Sequence, residues 1–132
     1  VSFPIDLRSN DEPYRDEAEA QLKAALSEIA DRRGVDLDLA EIDRGKPVEL
    51  DPTVMDRLAA AAETVGTDYQ RLPSGGGHDA MNFQLNGVPT GLLFTPSVDG
   101  ISHNPAEETP PEAIADATRT LAEAIADFST DV

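Results

Sequence analysis

The hydrophobic period of this chain switches repeatedly between about 3.6 and 2 residues, and that alternation restricts it to an α/β arrangement. Val1, Phe3, Ile5 and Leu7 fall on one side of "VSFPIDLRS", opposite Ser2, Asp6 and Arg8. A half-buried strand is expected there, with Pro4 confining it to an edge. Tyr14, Ala18, Leu22, Ala25, Leu26 and Ile29 then recur at helical spacing. Asp11, Glu12, Asp16 and Glu17 suit the positive end of this helix, Pro13 its first turn, and Gly34 its exit. "VDLDLAEI" at 35–42 alternates again as a strand.

Asp51 and Pro52 open a second helix with Val54, Leu58, Ala61, Ala62 and Val65 on its apolar face, and Gly66 ends it. "TDYQRL" suits a short strand. A short helix is expected from Asp79 to Leu85, followed by a buried strand in "VPTGLLFTPS" at 88–97. A last helix begins near Pro110 and Pro111, with Thr109 as its cap. Ile114, Ala117, Thr118, Leu121, Ile125 and Phe128 are expected to line its buried side. The main helices therefore fall near 12–33, 52–66 and 110–128, and the character of the chain changes near residue 50.

Composition removes several classes of function. Asp plus Glu total 26 against 10 for Lys plus Arg, a net charge of -16. Such a surface repels nucleic acid and anionic membranes, so neither is an expected partner. With Lys23 and Lys46 the only lysines, the balance resembles proteins of salt-loving organisms; it also suits an ordinary acidic cytoplasmic protein. There is no cysteine, hence no disulfide framework and no thiolate chemistry. No apolar run approaches the ~20 residues that span a bilayer. The first residues carry no signal-peptide pattern. They enter in mid-strand without a methionine, as a truncated frame would.

Two loops carry the polar groups that could do chemistry. "LPSGGGHDA" places Gly75, Gly76 and Gly77 ahead of His78 and Asp79. Glycines there let backbone groups approach a ligand. No "GK[ST]" or G-x-G-x-x-G pattern follows, which argues against a phosphate cradle. A solvated surface turn and a backbone-lined pocket both fit the residues. "GISHNPAEET" holds His103, the only other histidine, with Glu107 four residues on. A nearby carboxylate can orient an imidazole for metal binding. One histidine is not a metal site, and a solvated loop histidine is the plainer reading.

The order and spacing of "LPSGGGHDA", "GVPTGLLFTPS" and "GISHNPAEET" resemble the C-terminal signature of the N-carbamoyl-L-amino-acid hydrolase and allantoate amidohydrolase family, a carbamoylase branch of the aminoacylase-type dinuclear zinc hydrolases. "VSFPIDLRS" is similar to that family's F-x-x-D-x-R lid strand. The resemblance implies half of a two-layer lid, or dimerisation, domain at 1–50 and the C-terminal part of an α/β zinc-hydrolase catalytic domain at 51–132. It implies that His103 is a metal ligand. Arg8 would grip the substrate carboxylate in the partner subunit's active site, while Gly75, Gly76, Gly77 and His78 would line the substrate pocket. Glu107 and Asp79 would support these groups from behind.

The family's other metal ligands and its general base have no counterpart in this sequence, so no residue here is assigned as catalytic. Zinc or manganese is expected in the full-length enzyme and no tightly bound metal in this chain alone. The implied substrate is a small carboxylate-bearing ureido compound, and the implied assembly is a homodimer or self-association through residues 1–50. The chain by itself is expected to be inactive. The rival reading is a non-catalytic relative serving dimerisation or small-anion binding.

Overall fold

The computed structural model describes residues 1–129, which divide into two compact units. The first comprises 1–47 and 73–76; the second comprises 48–72 and the residues from Gly77 onward.

Helix α1, Glu12–Arg33, dominates the first unit. Asp11 caps it by accepting from the Tyr14 N–H at 3.0 Å, satisfying a donor that the first turn leaves without a partner. Arg32 and Arg33 occupy the last turn, and the Gly34 N–H bonds back to the carbonyls of Ala30 and Asp31. The residues that α1 buries are Arg15 and Ala30. With so little apolar surface enclosed, polar bonds hold the 41–46 segment against this helix. Arg15 Nη1 donates to the Gly45 carbonyl at 2.6 Å, and its other nitrogens reach Asp16 and Glu12. Arg44 pairs with Asp16 at 3.0 Å, Glu41 at 3.0 Å, and Glu19. Lys23 and then Arg44 hold the Glu19 carboxyl down to about 2 by hydrogen bonding to its charged form.

In the second unit α2 spans Pro52–Val65 and α3 spans Asp79–Leu85. A single 3-10 turn follows at Val98–Gly100, and α4 spans Pro111–Ser129. Asp51 accepts from the N–H groups of both Thr53 and Val54, so the expected start of α2 holds. Helices α2 and α4 pack against each other. The residues buried on them are small: Ala59, Ala61, Ala62, Thr120 and Ala124.

Three expectations are corrected. The first concerns the sheet of the α/β reading: no strand occurs among the described residues, which form helices joined by irregular segments. A strand exists only through ladder hydrogen bonds to a neighbour, and the alternating segments at 1–9, 35–42 and 88–97 have none. Phe3 is 68% exposed and Ile42 is 89% exposed, so their apolar faces remain uncovered. The second concerns α4. Ile114, Leu121 and Ile125 are exposed, whereas Thr120 and Ala124 are each 1% exposed. Small side chains allow close helix approach, and the branched residues lie roughly a quarter turn away around the helix. The third concerns the cap. The carbonyl of Pro110 accepts from Ala113 and Ile114, so Pro110 flanks the helix and Thr109 lies one residue too early. No helix among the described residues is long and apolar enough to cross a membrane.

Candidate functional site

In the first unit the structure brings Arg8 together with the glycine loop. Arg8 Nη1 donates to the Gly75 carbonyl at 3.2 Å. Its remaining contacts go to Asp6: Nε lies 2.9 Å from Oδ1 and 3.0 Å from Oδ2, and Nη2 lies 2.7 Å from Oδ2. Hydrogen bonding to Arg8 lowers the Asp6 carboxyl below its ordinary range and raises the guanidinium in return. Asp6 thus orients the fork and leaves one N–H on each terminal nitrogen for a ligand oxygen. Gly75 has φ 69°, a left-handed backbone that residues with a β-carbon avoid. Ser74 Oγ donates to the Gly76 carbonyl at 3.0 Å and fixes the next peptide. Nothing lies within 4 Å of where a Cβ would stand on Gly75 or Gly77.

His78 flanks the start of α3, and its carbonyl accepts from the Met81 N–H at 3.0 Å. Asp79 follows in the first turn, where its charge suits the helix dipole. The His78 imidazole meets the Phe94 ring edge-on, with centroids 5.2 Å apart and planes at 65°. Its Nε2 is buried and makes no hydrogen bond among the described residues. A buried nitrogen without a partner is costly, and the Phe94 contact does not offset that cost with a hydrogen bond.

The loop carrying His103 is closed by backbone bonds. The Val98 N–H donates to the Glu108 carbonyl at 2.8 Å, and Ser97 Oγ donates to the Ile101 carbonyl. His103 is exposed and has φ 55°, which is uncommon for a residue other than glycine. Glu107 does not orient the imidazole in the expected way. Its Oε2 accepts from the backbone N–H of His103 at 2.8 Å, leaving the ring uncommitted to this carboxylate.

As a metal ligand His103 is well presented but alone. Among the described residues no group of three or more His, Asp or Glu side chains stands close enough to hold a metal ion. An imidazole can serve as one metal ligand, and a centre needs three or four. A groove of about 340 Å³ in the second unit is lined by Asp51, Thr53, Val54, Arg57, Pro89 and Phe128. It includes none of the candidate site residues named from the sequence. Over it the Arg57 guanidinium stands 4.7 Å from the Phe128 ring centroid.

One structurally demanding glycine escaped the sequence reading. A Cβ on Gly91 would stand 2.7 Å from Val54 Cγ1 and 2.8 Å from Leu58 Cδ1, so a side chain there would have to displace those methyls where the 88–97 segment meets α2. The Asp51 N–H donates to the Thr90 carbonyl at 3.0 Å beside it. The available signal was an isolated glycine inside an apolar run, which marks close backbone approach.

The peptidase family M20/M25/M40 model matches residues 6–127. An N-carbamoyl-L-amino-acid amidohydrolase of Rhizobium meliloti is 35% identical over 108 residues, covering 82% of this chain and 26% of that protein. An allantoate amidohydrolase of Escherichia coli (strain K12) is 34% identical over 122 residues, covering 92% of this chain and 29% of that protein. The crystal structure of an amidase of the hydantoinase/carbamoylase family from Burkholderia multivorans aligns with a TM-score of 0.80 at 36% identity. That alignment covers 89% of this chain and 28% of the amidase. The chain therefore spans under a third of the length of these relatives.

Proposed function

The chain belongs to peptidase family M20/M25/M40, and from that membership we propose that it is the C-terminal portion of a metal-dependent amidohydrolase that cleaves the carbamoyl or ureido C–N bond of N-carbamoyl amino acids or allantoate-like acids. The observation that carries this reading is the shared identity with relatives named for those two substrates, at 35% and 34%. By itself the chain is inactive in this proposal, because its donors do not complete a metal centre.

Each residue has a bounded role. His103 supplies one metal ligand from the closed loop. Arg8, already aimed by Asp6 and the Gly75 carbonyl, binds the substrate carboxylate in the partner subunit's active site. Gly75, Gly76 and Gly77 offer backbone groups to the substrate, and His78 lines the same pocket. When bound, zinc or manganese would supply Lewis-acid polarisation of the scissile carbonyl. Homodimerisation through residues 1–50 belongs to the same proposal. Its support is the uncovered apolar side of residues 1–7.

The test is a chimera in which this chain replaces the corresponding part of the allantoate amidohydrolase relative. It should hydrolyse a ureido acid. Arg8→Ala should cost roughly 1.5–3 kcal/mol of substrate binding, the range for hydrogen bonds to charged groups, with metal content unchanged. His103→Ala should lower metal occupancy first and activity with it. An active chimera in which Arg8→Ala leaves KM and kcat intact, and His103→Ala keeps its full metal, would refute both assignments.

A further inference from the structure

His103 adopts a left-handed backbone, with φ 55°, which is uncommon for a residue with a β-carbon and costs energy that its surroundings must offset. The support is visible. The backbone N–H of His103 donates to Glu107 Oε2 at 2.8 Å, a charge-assisted bond of good length.

The backbone that carries this carboxylate is held on both sides. The Glu107 N–H donates to the Asn104 carbonyl at 2.9 Å, and Asn104 Oδ1 accepts from the Ala106 N–H at 2.9 Å. On the other side the Glu108 carbonyl accepts from Val98. Glu107 therefore arrives at His103 from a turn whose backbone is already fixed. The direction of a side chain follows from the φ of its own residue, because rotation about N–Cα swings the Cα–Cβ bond. Locking φ at His103 locks where the imidazole begins.

We propose that Glu107 is the positioning residue for His103, acting through the backbone N–H to hold the left-handed turn that aims the imidazole. This deepens the reading of His103 as a metal ligand and rests on it. A carboxylate bonded to the ring would occupy one of its nitrogens. A carboxylate bonded to the amide sets the geometry and leaves both ring nitrogens uncommitted to Glu107.

The experiment uses this chain and two NMR readouts at fixed pH: hydrogen exchange of the His103 amide, and the response of the His103 ring to added Zn²⁺. Glu107→Ala should accelerate exchange about 10- to 100-fold, as expected for loss of a hydrogen bond to a charged group. It should also weaken the Zn²⁺ response several-fold. Glu107→Gln retains an acceptor at the same reach and should rescue most of both effects. Glu107→Asp is a methylene too short and should behave like Glu107→Ala. Unchanged exchange in Glu107→Ala overturns the proposal. Accelerated exchange with an unchanged Zn²⁺ response in Glu107→Ala also overturns it, whereas full metal content in the His103→Ala chimera removes the metal-ligand reading and leaves the Glu107 bond in place.

Discussion

Replacing Gly91 by alanine probes the contact that seats the 88–97 segment on α2. The added Cβ would stand 2.7 Å from Val54 Cγ1 and 2.8 Å from Leu58 Cδ1. Carbon atoms prefer about 3.5–4.0 Å, so the two shortfalls approach ~1 Å each. Leu58 can rotate its methyl away, but Val54 is stiff at χ1. Overpacking of this kind costs roughly 1–3 kcal/mol. Loss of the glycine's freedom in the unfolded chain returns about 0.4–1 kcal/mol. A net destabilisation of about 1–2 kcal/mol follows. Urea unfolding followed by far-UV circular dichroism measures it, with Val54→Ala and the double variant completing a cycle. The double variant should be more stable than the sum of the single effects by roughly 0.5–1.5 kcal/mol, because truncating Val54 removes the clash. Gly77→Ala is the control, since nothing lies within 4 Å of its Cβ position. A neutral Gly91→Ala, or additivity within about 0.3 kcal/mol, would show that the segment does not press on α2 in solution.

Thr120 is 1% exposed, and its Oγ1 has no hydrogen-bond partner among the described residues. Thr120→Val should therefore raise stability by about 0.5–2 kcal/mol, and a lower urea midpoint would contradict this. Glu19 is held down to about 2 from an ordinary 4.5, so its pairing stabilises the fold above pH 4.5 and is lost as pH falls from there towards 2. Glu19→Gln should flatten the decline of melting temperature over that window; parallel declines in both proteins would rule out the linkage. The uncovered residues 1–7 should drive concentration-dependent association, and sedimentation equilibrium showing only monomer at high concentration would count against the dimer reading.

Much of the helical framework was legible because its determinants are local. Asp11 and Asp51 cap the donors of the turns that follow them. Gly34 and Gly66 end those helices with backbone bonds three and four residues back. Candidate site residues could be named as well, the glycine loop, His78 and His103 by residue type and Arg8 through the family resemblance. Their partners could not. Nothing in the order of residues says that Arg8 meets Asp6 and Gly75, or that Glu107 bonds the amide of His103 rather than its ring.

Periodicity misled where burial depends on a neighbour. The apolar stripe of α4 is real, yet α2 meets the small residues beside it and leaves Ile114, Leu121 and Ile125 exposed. The alternating segments carry strand patterns without strand pairing, because a ladder needs a second edge whereas a helix closes its own bonds. The sequence by itself determined the helices, the caps of α1 and α2 and the family, all of which are written in short stretches of chain. Tertiary structure alone decided which face α4 buries, why a side chain at Gly91 would crowd α2, and what holds the turn at His103. Those features depend on contacts between residues that meet only after the chain has folded.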